Sequence, residues 1–515
     1  MFCLYFSLSK NIPPFELDAL YDLYISTNGN NWHWHNTTLD FGSIPWNFTS
    51  GCNPCEDHWQ GLTCSDEIGS TYRHVIEMNL IEYNLRGTLP AGLSNLTRLD
   101  TLILSTNFLQ SSVPMEFANM LDLKQVDLSS NTITGSLNAF SSLYNLTSLA
   151  LEYNLFNGTI PVQWGGLRRL QTLVVGFNQI NGTFPASLGN LTDLVTLYCD
   201  GNYITGSIPT TFAQLRSLQT LAVEQNVLSG TFPEFLCQLT SLQILAMYSN
   251  PMSGTIPDCL GDSVGSLRYL LIYDMGLTGT LPESLGGLGH LELFWVQSNP
   301  VVGTIPVQLG GLSQLQQLIA YDCALTGTIP ASLGNLTRCI DLQLQNNQLT
   351  GTIPTALGQL TLLQYLFLND NQLTGSIPTS LSRLGALLEL QLQSNQLSGA
   401  LEGVFNSTLQ RSLLITEVSY NQLTGTLPAE AFLLPELNTF VAVSNCFSGT
   451  LPETVCSNPA LVSLILDGLQ TAPACQQRLL KGSKSQSYIV ANHFNGRIPP
   501  CMFKMPNLTS LHLSG

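Results

Sequence analysis

The sequence predicts a solenoid. Short coils stack so that one parallel β-sheet lines a concave face, with short 3-10 or irregular segments on the convex side. Two observations carry this reading: a phrase that returns every 24 residues, and hydrophobic and turn residues that keep separate, fixed phases within it. A third bounds the class. At 515 residues the chain is too long for one conventional core, yet only 10% of it is charged, against about 25% in an average soluble protein.

The repeat is easiest to see at residues 342–360, LQLQNNQLTGTIPTALGQL, which come back at 366–384 as LFLNDNQLTGSIPTSLSRL. An Asn follows each L-x-x-L-x-L run and serves as a marker. It falls at Asn84, Asn107, Asn131, Asn154, Asn178, Asn202, Asn226 and Asn250, and again at Asn299, Asn347, Asn371, Asn395, Asn421, Asn445 and Asn492. Met275, Cys323 and Leu469 hold the same place where it is missing, and twelve of the seventeen gaps are 24 residues. Insertions are nearly absent, so each unit is one coil.

Residue types give each part of the coil its shape. In Leu342-x-Leu344 alternate side chains point inward as on a strand, and stacked strands form a parallel sheet about 4.8 Å apart. The chain then turns inward, where its polar backbone loses water, and the marker Asn is expected to hydrogen-bond it. Gly351 permits the tight backbone that follows, and Pro354 fixes φ before the outer segment. Leu357 and Leu360 close the core from the convex side.

These phases resemble the plant-type extracellular leucine-rich repeat, L-x-x-L-x-L-x-x-N-x-L-T-G-x-I-P-x-x-L-G-x-L. The G-[T/S/R]-[I/L/F]-P signature occurs fourteen times, for example at Gly158-Thr159-Ile160-Pro161 and Gly496-Arg497-Ile498-Pro499. The resemblance covers about residues 75 to 515. It implies a leucine-rich-repeat solenoid wound as a right-handed superhelix, and recognition rather than one reaction. The N-terminal stretch resembles the cysteine-bearing cap of such proteins in a protist or algal style. It has a short helix from Glu16 to Tyr24, a Thr-Asn-Gly turn, Trp46, and then CNPCEDHWQGLTC. A cap is needed because the first coil would otherwise expose its apolar side. The expected organisation is a signal remnant or disordered start at 1–12 and the cap at 13–74. Regular repeats follow at 75–457, then irregular repeats with extra Cys at 458–515, ending in mid-repeat.

Cysteines and glycosylation motifs speak for secretion. Of 13 Cys, Cys199, Cys323 and Cys339 sit in inward or marker phases and are expected to be free, buried thiols. Cys55 and Cys64 are expected to bridge the cap. Cys237 and Cys259 lie on outer segments of adjacent coils, near enough in phase to bridge. The pairing of Cys52, Cys446, Cys456, Cys475 and Cys501 is not readable. Zinc at Cys52-x-x-Cys55 with His33 or His58 is the alternative to disulfides, and a secreted setting favours the latter. N-x-[ST] motifs stand at Asn36, Asn47, Asn95, Asn145, Asn157, Asn181, Asn190, Asn335, Asn406 and Asn507. Seven of them sit in N-L-T or N-G-T phrases that the repeat itself produces. Asn36, Asn47 and Asn406 do not.

Composition narrows the partners. A formal net charge of −17 argues against nucleic acid and anionic membrane, and no apolar stretch reaches the roughly 18 residues of a membrane span. The seven His are scattered, and LGGLG at 285–289 belongs to the repeat rather than to a phosphate loop. Neither a catalytic constellation nor a cofactor is expected.

Function must then lie on outward strand positions of the concave face. Tyr248, Tyr269, Tyr273, Trp295, Tyr321, Tyr365 and Phe367 form an aromatic run there, with Asp274, Asp322 and Asp370 beside it. The fold does not need such a surface, which suits a carbohydrate or peptide ligand. The expectation is an extracellular, non-catalytic recognition or adhesion solenoid, secreted or at the cell surface, that binds a protein, peptide or glycan. The alternative is a structural surface or matrix protein that self-associates into glycosylated filaments or layers. An ice-binding face on the G-T-I-P threonines comes third.

Overall fold

A computed structural model describes residues 12–35, 43–49, 52–65, 72–467 and 498–513. Asn36, Cys475, Leu469, Asn492, the Gly496-Arg497 pair and nearly all of the N-terminal stretch 1–12 lie outside these. The chain divides into two compact units, Met1–Met252 and Ser253–Gly515.

In the first unit the cap helix spans Pro14–Ser26, longer at both ends than Glu16 to Tyr24. Pro14 opens it, where a missing N–H costs nothing, and Asn28 ends it in the left-handed region at φ 60°. It buries Ala19, Leu20 and Leu23 and packs on the 3-10 turn Ala91–Asn95. Glu16 ties it to the first coil: the fully buried carboxylate meets His74 Nδ1 at 2.6 Å and accepts the Val75 N–H at 3.0 Å. Burial raises its pKa. Behind it Trp32, Trp34, Trp46, Trp59 and Tyr83 pack ring against ring. Cys55 and Cys64 form a disulfide and Cys52 is also disulfide-bonded, which removes the zinc alternative.

Each coil supplies a three-residue strand to a parallel ladder. In the first unit this runs in register from Val75–Asn79 through Thr172–Val174 to Ile244–Ala246. In the second it runs from Tyr269–Leu271 to Ser463–Ile465 and Ser510–His512. A second parallel ladder, not foreseen from the sequence, forms just after the marker. Gln179–Thr183 belongs to it in the first unit and Gln348–Thr352 in the second. The Q-L-T-G-T phrase therefore does more than turn. A five-residue 3-10 turn such as Thr355–Gln359 then returns the chain along the convex side, and Leu357 and Leu360 are fully buried there.

The marker is the hydrogen-bonding hub of the coil. Asn371 donates to the carbonyls of Leu344, Leu368 and Asn369 at 2.9, 3.2 and 3.1 Å, and its Oδ1 accepts the Leu349 N–H at 3.0 Å. One amide thus holds two coils. Where Cys323 replaces it, the thiol reaches the Val296 and Tyr321 carbonyls at 3.6 and 3.5 Å. Burial pushes this thiol's pKa up to about 11 and that of Cys339 to about 12.

The first marker is misplaced by one residue in the sequence reading. Tyr83, 4% exposed, stands three residues after Leu80 where the hub belongs, while Asn84 turns out to bond Asn31 and Arg86 in the cap. The cap covers this coil, so no preceding coil needs the amide.

Holding the hub costs backbone strain. The residue before the marker takes a left-handed φ even without glycine, as at Phe177 (50°), Asp274 (50°), Asp322 (50°), Asp370 (52°) and Tyr420 (53°). Four Asn hydrogen bonds per coil offset that cost.

Candidate functional site

The strands fix which side chains reach the concave face. Leu366 and Leu368 point into the core and are fully buried, so Tyr365 and Phe367 must point out. Tyr269, Tyr273, Trp295, Tyr321, Tyr365 and Phe367 all lie in the second unit and are half-buried rather than open. Tyr273 and Trp295 sit 5.9 Å apart, and Tyr365 and Phe367 meet edge to face at 6.0 Å. The Trp295 indole N–H donates to Gln317 Oε1 at 3.1 Å, which fixes the ring's orientation.

Asp274, Asp322 and Asp370 are exposed beside this row, at the strained position before the marker. Asp and Asn tolerate left-handed φ better than most residues, so the turn accounts for their residue type. Asp370 accepts a hydrogen bond from the Asn369 amide at 2.8 Å.

Between the rings run amide relays that sequence reasoning left without a role. Gln345 donates to Gln343 at 3.4 Å, and Gln343 donates to both oxygens of Asp341 at 3.1 Å. Two strands on, Gln393 donates to Gln391 at 3.3 Å and Gln391 to Glu389 at 2.6 Å. Burial raises the pKa of Asp341 to about 6, and the Gln343 bond pulls it down. The relays end on amide oxygens of Gln345 and Gln393, which with those of Gln297 and Asn369 are buried and accept no hydrogen bond. Gln297 and Asn369 are only 5% and 7% exposed. A row of alternate-position amides was the signal that could have revealed these acceptors.

The first unit presents a different face. Tyr248 belongs to it, and its hydroxyl bonds Glu224. The same strand phase carries Glu152, Gly176, Asp200 and Glu224 on successive coils, with Asp127 close by. Burial raises the pKa of each of Glu152, Asp200 and Glu224, that of Glu224 to about 7. Asp200 adds repulsion to Glu152 and Glu224.

Other predicted features are placed as follows. Cys237, Cys259, Cys446, Cys456 and Cys501 are disulfide-bonded, Cys456 with Cys501. Cys199, Cys323 and Cys339 are free thiols. Asn47, Asn95, Asn157, Asn181, Asn190, Asn335 and Asn507 are exposed, and Asn145 and Asn406 half-buried. A cavity of about 500 Å³ in the cap is lined by His35, His58, Trp59, Thr63, Glu77 and Tyr83 among others. Among the described residues no cluster of His, Cys, Asp or Glu is arranged to hold a metal ion, and no helix is long and apolar enough to cross a membrane.

Comparison with known proteins agrees with this architecture. Phytosulfokine receptor 1 of Arabidopsis thaliana is 29% identical over 141 residues, 27% of this chain and 12% of that receptor. The chain thus matches only a small part of its curated relatives' length. The plant peptide hormone receptor RGFR1, solved in complex with RGF2, superposes with a TM-score of 0.69 at 28% identity, over 76% of this chain and 66% of that one. PEPR1 in complex with AtPEP1 gives 0.69 at 25% identity, over 97% and 75%. The leucine-rich repeat region family matches residues 105–268 and 258–514, and with the stacked coils, the asparagine hub and both ladders in place, this chain belongs to the leucine-rich repeat family.

Proposed function

We propose that the chain is an extracellular, non-catalytic recognition solenoid, secreted or held at a cell surface, whose second unit binds an extended peptide along its concave face. One observation carries the reading: Gln297, Gln345, Asn369 and Gln393 present buried amide oxygens that accept nothing, beside a half-buried aromatic run. A buried acceptor without a donor costs on the order of 1–3 kcal/mol. An extended peptide, with N–H groups repeating along its length, would supply the donors. Trp295 and Tyr321 act as anchors, with Tyr269, Tyr273, Tyr365 and Phe367 as flanking surface and Asp274, Asp322 and Asp370 on the rim. Relatives described as a peptide hormone receptor and a phytosulfokine receptor support this choice over a glycan.

Peptide and glycan arrays probed with wild type and with a Trp295→Ala/Tyr321→Ala double variant test it. Peptide binders that the variant loses by roughly 2 kcal/mol or more per anchor are expected. Peptides held equally by both proteins would sink the site. Glycan binders alone would replace the ligand class, and filaments in gentle extracts without any ligand would favour the structural alternative.

A further inference from the structure

The acidic face of the first unit is not needed by the coil. At the same strand phase other coils place Ser105, Ser129 and, in the second unit, Gln297, Gln345 and Asn369. Here Glu152, Asp200 and Glu224 stand on nearby strands about 4.8 Å apart. Asp200 is 9% exposed, and the one hydrogen bond recorded for its carboxylate comes from its own backbone. The Oε2 atoms of Glu152 and Glu224 are buried and accept none.

Gly176 shapes the row. A Cβ there would lie 2.4 Å from Asp200 Oδ1, so the carboxylate occupies the place of the missing side chain and leans toward the Glu152 strand. The absence of a side chain at Gly176 lets three carboxylates converge.

Cations of the first unit are engaged elsewhere. Lys124 pairs with Asp100 at 2.9 Å, Arg98 with Asp122 at 3.5 Å, Arg169 bonds Asn145, and Arg86 lies over the Phe108 ring. Gathering carboxylates that repel one another, with no positive group among the described residues to meet them, is unfavourable unless a ligand brings the charge.

We propose that Glu152, Asp200 and Glu224 form a second recognition site, which takes a guanidinium group carried by an extracellular peptide. A planar fork of donors can bridge carboxylates on neighbouring strands, as a spherical ammonium cannot. Tyr198 and Tyr248 flank the row and offer ring surface for stacking. The inference rests on the concave face being the ligand-bearing one, but it uses neither Trp295 nor Tyr321.

The test is calorimetric titration of the full chain with acetyl-Gly-Arg-Gly-amide, in parallel with its norleucine analogue, spermidine and calcium chloride, at about 0.15 M salt to suppress diffuse attraction. Saturable binding of the arginine peptide alone is expected. It should fall at least tenfold in Glu152→Gln/Glu224→Gln. Gly176→Ala should reduce it similarly, because the added methyl displaces the Asp200 carboxylate at unchanged charge. Binding should also weaken from pH about 7.5 to about 5, as the carboxyl groups take up protons. The exposed convex pair Glu116→Gln/Glu234→Gln controls for net charge and should change affinity less than twofold. Equal losses in that control, or full affinity in Gly176→Ala, would overturn the site. Spermidine or calcium binding as tightly as the arginine peptide would overturn the guanidinium assignment. All these variants keep Trp295 and Tyr321, so failure here leaves the peptide reading of the second unit standing.

Discussion

The concave faces of the two units share a backbone and differ in how they treat a carboxylate. In the second unit Asp341 and Glu389 are each capped by a glutamine on their own strand, which is itself held by the next glutamine along. In the first, Glu152 and Glu224 each keep a buried oxygen without a donor, and Asp200 crowds both. A carboxylate and an amide have nearly the same shape, so both suit the coil equally. Charge separates them: the second unit presents neutral acceptors between rings, and the first presents unneutralised charge. Identical scaffolding can therefore offer two ligand chemistries, with the difference written only in outward strand positions.

The largest expected effect tests whether the scaffolds really are equal. Asn178→Ala and Asn371→Ala should each destabilise their unit by about 1–3 kcal/mol, because three carbonyls and one N–H lose a partner in both. Chemical denaturation checks this. A neutral result in one unit alone would mean that the hub is not shared.

Next comes pH. Glu224 has its folded pKa raised from 4.5 to about 7, chiefly by burial. Its folded state prefers the neutral acid, so the stabilisation is present below about 4.5 and is lost as pH rises through about 7. Asp341, raised to about 6, completes the same loss in the second unit at lower pH. Thermal melting should thus weaken between pH about 5 and 7.5, and Glu224→Gln should restore on the order of 2 kcal/mol at the upper end. A melt that is flat across this window in wild type would remove the contrast between the units.

A smaller effect probes the relay. Gln343→Leu leaves Asp341 without its cap and should raise that pKa further, with a loss of about 1 kcal/mol at neutral pH. Carboxyl titration by NMR would register it, and an unmoved Asp341 would show that the relay has no hold on it.

The smallest effect concerns the outer surface. Asn95→Gln and Asn335→Gln, both exposed and outside the concave face, should each remove one glycan from secreted protein and shift melting by less than about 0.5 kcal/mol. Mass spectrometry that finds unmodified Asn at these sites would count against secretion.

What the sequence determined by itself was the coil. Its phases specify inward Leu342 and Leu344, convex Leu357 and Leu360, and a buried marker such as Asn371, because each is set by local geometry repeated every 24 residues. Aromatic rows on outward positions were legible for the same reason. Tertiary structure decided whatever depends on a neighbouring coil or on the cap. It gave the first hub to Tyr83 instead of Asn84, since the cap supplies what a preceding coil would. It paired Q-L-T-G-T segments into a second ladder, which no single phrase reveals. It also drew Asp200 across Gly176 toward Glu152, residues 24 apart in the chain. A one-residue pattern cannot report that contact, because its energy depends on which carboxylates share a strand phase and on how little water reaches them.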